Sequence, residues 1–140
     1  MMELIAHMQR VHAINLIPFY FGTCWELPRL CAVGIYENIL MTVPLGFGVS
    51  FIARLKSRNF LWLAVAVGLI IETAQFALDL ATGIAYRTVD ANDALFNAIG
   101  ILLGYGMFAA FAWVYLAITH RFGIHHTGLL AYIHAVAKQM

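Results

Sequence analysis

The chain has 140 residues, 63% of them hydrophobic and 11% charged, with mean hydropathy +0.83 and formal net charge +1. A water-soluble domain of this length needs far more charge to cover its surface, so the composition excludes an ordinary soluble enzyme and selects an integral membrane protein. With net charge near zero and no basic run longer than Arg54-Leu-Lys-Ser-Arg58, nothing points to a nucleic-acid partner.

Taken in chain order, the first dozen residues (MMELIAHMQRVH) hold no basic stretch followed by an apolar one, so no cleaved signal peptide is expected. Residues 11–28, with Asn15, Pro18, Gly22 and Pro28, read as an aromatic-rich interfacial or re-entrant segment. Cys24 and Cys31 are too few for a disulfide framework. A single bridge across Pro28 is open to them only if that loop faces an oxidising compartment.

The first predicted span covers residues 30–53, with Glu37 and Asn38 in its first half. Pro44 and Gly46, in its second half, read as a packing feature or kink. The second, residues 60–81 (FLWLAVAVGLIIETAQFALDLA), is interrupted by Glu72, Gln75 and Asp79. These lie at i, i+3 and i+7 and so share one helical stripe, with Gly68 one turn before Glu72. A carboxylate inside a span costs at least about 3 kcal/mol unless it faces protein or water. The third span, residues 94–118, carries no charge over more than the roughly 20 residues a crossing needs. The tail, residues 119–140, reads as a cytoplasmic or interfacial amphipathic helix with Leu129, Leu130, Tyr132, Ile133 and Val136 toward lipid. Trp25, Trp62, Trp113 and the tyrosines suit interfacial anchors. The expected fold is all-α: one domain over residues 1–140, a small polytopic helical bundle of three spans behind the N-terminal segment.

Charge asymmetry gives the orientation. Arg54, Lys56 and Arg58 in the loop at 54–59, and Arg121 and Lys138 in the tail, have no acid among them, so both belong in the cytoplasm. The loop at 82–92 then lies outside, and all seven acids fall in the outer half of the membrane or beyond it. At that outer end Asp90 is placed to cap the third span, with Asp93 in its first turn, where negative charge complements the helix dipole. Asp93, Asn97, Gly100 and Gly104 continue as one stripe, a polar head above a small-residue tail that lets another helix approach closely. The simplest packing sets spans two and three together through these stripes, with Glu72, Gln75 and Asn97 facing one another and Glu37 and Asn38 closing the third side. Arg87 is a candidate partner for Asp90 or Asp93, or for a phosphate or carboxylate of a ligand.

The segments that carry these residues resemble the VanZ-like family, small membrane proteins named for a teicoplanin-resistance protein. The matching stretches are Asn15-Leu-Ile-Pro-Phe19, Glu37-Asn38-Ile-Leu-Met-Thr-Val-Pro-Leu-Gly-Phe47 and Ile71-Glu72-Thr-Ala-Gln75. Downstream come Arg87-Thr-Val-Asp90-Ala-Asn-Asp93-Ala-Leu-Phe-Asn97-Ala-Ile-Gly100 and Gly104-Tyr105, so the likeness runs over about residues 13–106. Members of that family carry a span ahead of the Asn-Leu-Ile-Pro-Phe motif. This chain departs from them there, so either a shortened start or a build with one span fewer is expected. The resemblance implies a role at the cell envelope without naming a reaction.

Three functions remain open on the sequence. One is an outer-leaflet polar pocket, built from Glu37, Asn38, Glu72, Gln75, Arg87, Asp90, Asp93 and Asn97, that binds an envelope lipid or an amphiphilic glycopeptide and confers antibiotic resistance. The second is an intramembrane enzyme using Glu72 or Asp90 as general base on such a lipid. The third is a scaffold or homo-oligomer whose polar stripe only locks helices together, with Gly68, Gly100 and Gly104 at the joints. No cofactor or metal is expected: His7 and His12 lie far from His120, His125, His126 and His134, and no metal-ligand motif joins them.

Overall fold

A computed structural model describes residues 14–15, 17–21, 28–53, 57–83, 89–125 and 127–138. Among these, four helices and one short strand pair form the fold: β1 (Ile14–Asn15), α1 (Pro28–Ile52), α2 (Ser57–Thr82), β2 (Val89–Asp90), α3 (Ala91–Phe122) and α4 (Leu129–Ala137). The all-α expectation holds. Cys31–Ile52, Arg58–Thr82 and Ala91–Phe122 are each long and apolar enough to cross a bilayer. Their outward faces carry exposed large apolar side chains, among them Leu40, Trp62, Ile70 and Trp113, as a multi-pass membrane protein requires.

Helix α3 is the hub, with α1 on one side and α2 on another. This corrects the packing expected from the small-residue stripes. The Gly100/Gly104 stripe meets span one, not span two. A Cβ at Gly104 would overlap the Val43 carbonyl oxygen, and one at Gly100 would overlap the Thr42 hydroxyl and the Ile39 carbonyl oxygen. The approach is reciprocal, because a Cβ at Gly46 of α1 would overlap the Ile101 carbonyl oxygen of α3. Helix α2 uses Gly68, pressed on the Ala94 carbonyl, and below it a core of Phe60, Ala64, Ala98 and Ile101. Without a hydrophobic force between helices in lipid, such close backbone contact and the dispersion it allows hold spans together.

Helix α3 overshoots the expected third span by three residues at its start and four at its end. Asp90 caps it as anticipated, with extended backbone (φ −126°, ψ 126°) and its carboxylate accepting the Asn92 N–H at 2.8 Å. Gly123, at φ 57°, closes it by returning its N–H to the Thr119 carbonyl. The chain then turns back, and α4 lies against the end of the bundle where α1 and α3 finish. Here too the expectation needs correcting, since Val136 does not face lipid. Val136 and Ala137 are buried on Phe108 and Ala112, beside Phe47 and Phe51. The Tyr132 hydroxyl donates to the Phe51 carbonyl at 2.5 Å, tying α4 to the end of α1.

Candidate functional site

Polar side chains are buried at the other end of the bundle, in two tiers. The upper tier gathers around the start of α3. Glu72 of α2 is 5% exposed, and its Oε2 accepts the Asp90 N–H at 3.4 Å. Asp90 pairs in parallel register with Asn15 through β1 and β2, so the N-terminal segment passes directly beside this cap. Asn92 binds that segment more firmly. Its Oδ1 accepts the Phe19 N–H at 2.6 Å and its Nδ2 donates to the Tyr20 carbonyl at 3.0 Å. Phe19 sits in the left-handed region (φ 64°), rare for a bulky residue, and the Asn92 clamp holds it there. The described part of the expected interfacial segment is thus an irregular strap fastened to the head of α3.

The lower tier lies between α1 and α3. Asn97 is 0% exposed and Asn38 is 1% exposed. The Thr42 hydroxyl lies between their turns, 3.0 Å from the Asn38 carbonyl oxygen and 2.9 Å from the Asn97 carbonyl oxygen. The carboxamides differ from every other polar group discussed so far. Neither the oxygen nor the nitrogen of Asn38 or Asn97 has a hydrogen-bond partner. An unmet buried amide costs on the order of 1–3 kcal/mol, and this tier holds two of them. Packing alone gives no reason for them, because leucine would fill the same space.

The sequence-derived set is therefore divided. Asn38, Glu72, Asp90 and Asn97 are brought to one end and buried or half-buried. Gly46, Gly68, Gly100 and Gly104 are buried where the helices meet, whereas Pro44 of the expected packing set is exposed on α1, because its position turns away from α3. Asp93 and Gln75 are half-buried at its margin. Asp79, two turns above Glu72, is also buried, so the whole i, i+3, i+7 stripe faces inward. Glu37 points differently, being exposed on α1 next to buried Asn38, since adjacent helical positions are rotated by about 100°. Glu72 and Asn97 do not face each other. Glu72 meets Asp90, and seven residues of α3 put Asn97 about 10 Å deeper. Arg87 lies outside the described residues, as do Arg54, Lys56 and Cys24.

Two site residues escaped the sequence reading. Asn92 stood between Asp90 and Asp93 without a role of its own. Its signal was faint: an amide in the first turn of a predicted span, where it can reach backbone groups of a neighbouring loop. Thr42 lies one turn after Asn38 on the same stripe, a spacing that could have marked it. Among the described residues no group of three or more His, Cys, Asp or Glu could hold a metal ion.

No curated protein and no solved structure matches the chain. The model of the VanZ/LLP1 family does, over residues 2–114, which extends the expected likeness at both ends and takes in every residue of both tiers. By that match, the chain belongs to the VanZ/LLP1 family.

Proposed function

We propose that this protein binds the polar part of an envelope lipid, or of an amphiphilic glycopeptide, at the two-tier end of its bundle, and through that binding alters sensitivity to lipoglycopeptide antibiotics. The observation that carries this reading is the pair of sealed carboxamides, Asn38 and Asn97, whose donors and acceptors are unmet. Each amide offers two N–H donors and a carbonyl acceptor, a set suited to hydroxyls, amides or phosphate oxygens. Intramembrane polar groups kept at such cost favour a functional role. Entry runs from the outer end, between the first turns of α1 and α3, where the strap held by Asn92 covers the head of α3.

Orientation belongs to the same proposal. Glu72, Asp79, Asp90 and Asp93 gather at one end of the bundle, whereas Arg58 and Arg121 lie toward the other. The positive-inside rule puts the polar tiers on the extracytoplasmic side.

A second reading has its own support. The Glu72 carboxylate bonds the N–H at the head of α3, which makes it a strut between α2 and the cap rather than a ligand group. Native mass spectrometry after gentle extraction separates the two. The wild type is expected to retain a lipid with a polar head group, and an Asn38→Ala/Asn97→Ala variant to lose it while remaining helical by circular dichroism. Identical lipid profiles in the two proteins would end the binding reading. Glu72→Gln that loosens the fold without changing the lipid would assign Glu72 to the strut alone.

A further inference from the structure

At the opposite end of the molecule a groove of about 530 Å³ runs between the last turns of α3 and the back of α4. Its floor is apolar, formed by Trp113, Leu116 and Ala117 of α3. Trp113 and His120 are seven residues apart, so this floor is about 10 Å long. The rim is basic: His120 at one end, with His134 and Lys138 on successive turns of α4. Burial of Ala137 on Phe108 and Ala112 fixes where Lys138 emerges, and its N–H closes the helix on the His134 carbonyl at 3.1 Å. Ring contact with Tyr115, at 6.2 Å between centroids, sets the His134 imidazole. Arg121 follows His120 in the same last turn, and the sequence contains no Asp or Glu after Asp93.

We infer that this groove is a binding site for an acidic phospholipid of the leaflet on that side, its phosphate at Lys138 and His120 and the upper part of one acyl chain along Trp113, Leu116 and Ala117. The chemistry on each side matches. An apolar slot opening toward lipid suits an acyl chain, the basic rim suits a phosphodiester, and the absence of acids in the chain beyond Asp93 leaves nothing to repel it. The volume falls within the usual range of small-ligand sites. The site lies at the end of the bundle away from Asn38 and Asn97 and does not depend on their role.

Trp113 reports on the groove directly. In a Trp25→Phe/Trp62→Phe background it becomes the sole tryptophan, and the protein can be placed in bilayers containing lipids brominated high on the acyl chain. Brominated phosphatidylglycerol is expected to quench it at roughly fivefold lower mole fraction than brominated phosphatidylcholine, the factor one basic side chain contributes near an anionic head group. Lys138→Gln with His120→Gln, both exposed, should erase the preference while leaving helicity and quenching by phosphatidylcholine unchanged. Equal quenching by both lipids in the parent protein would overturn the assignment. So would a preference that survives the double substitution, or a groove closed to both lipids by a second copy of the chain.

Discussion

The two ends of α3 are held by opposite means. Toward its C-terminal end Phe47, Phe51, Phe108 and Phe111 interlock, with Phe51 and Phe108 edge-to-face at 4.8 Å, and Val136 and Ala137 of α4 cover Phe108. At its head the same helix carries Asn92 and Asn97 and is met by Asn38, Thr42 and Glu72, and two of those side chains, Asn38 and Asn97, have no hydrogen-bond partner for the carboxamide. One end is optimised as packing; the other accepts a penalty. Between them lies the glycine seam, where the backbones of α1 and α3 touch. Under the proposed binding role, stability and function are separated along one helix, so substitutions should sort by height.

The seam should be the most sensitive place. Gly104→Ala puts a Cβ against the Val43 carbonyl and within 2.7 Å of the Phe47 backbone nitrogen, so a whole helix must move. A loss of about 3 kcal/mol or more is expected, at the upper end for overpacking because backbone rather than a flexible side chain gives way. Unfolding in mixed micelles measures it, and wild-type stability would mean the helices do not touch there. Next comes the aromatic end. Phe108→Ala should cost about 2–3 kcal/mol, below the usual range for a soluble core because lipid tails replace water as the reference for the exposed ring. Lipid retention by the Asn38/Asn97 tier should be unchanged, which tests the separation itself.

Much of this fold was legible from the sequence, for identifiable reasons. Spans are declared by length and apolarity, the cap by Asp90 before an uncharged run, and the inward stripe of α2 by spacing alone. What spacing does not reveal is the partner of a stripe. Gly100 and Gly104 announce a close neighbour, but either α1 or α2 could satisfy them, and only the match of Gly46 to Ile101 decides for α1. That choice also separates Glu72 from Asn97 in height. Helix α4 is legible as amphipathic, yet an apolar face reads the same whether it meets lipid or protein, so spacing alone does not place Val136 against Phe108 and Ala112. Asn92 was hidden because its partners are backbone atoms more than 70 residues away, which no local pattern encodes.

The strap offers a middle-sized test. Asn92→Ala removes two hydrogen bonds to Phe19 and Tyr20, worth about 1 kcal/mol each, and releases a backbone held at positive φ. Global unfolding should shift by less than about 2 kcal/mol, because the strap opens separately from the bundle. Amide exchange at Phe19 should rise at least tenfold. Exchange that stays slow would show that other contacts hold the strap.

The sharpest form of the comparison is a change of sign. Asn97→Leu keeps a branched side chain of similar size in a sealed site and leaves the Asn97 carbonyl free to accept the Thr42 hydroxyl as before. It deletes an oxygen and a nitrogen that nothing in the folded chain satisfies. In delipidated protein the substitution should therefore stabilise, by about 1–2 kcal/mol, where the same loss of polarity at a satisfied amide would destabilise. Delipidation matters, because a retained ligand would itself stabilise the wild type and mask the gain. If the variant is both more stable and unable to retain lipid, the lower tier is a place where folding energy is withheld for binding. If it is less stable than the wild type after delipidation, Asn97 is bonded within the protein in the membrane, and its role is to join α1 to α3.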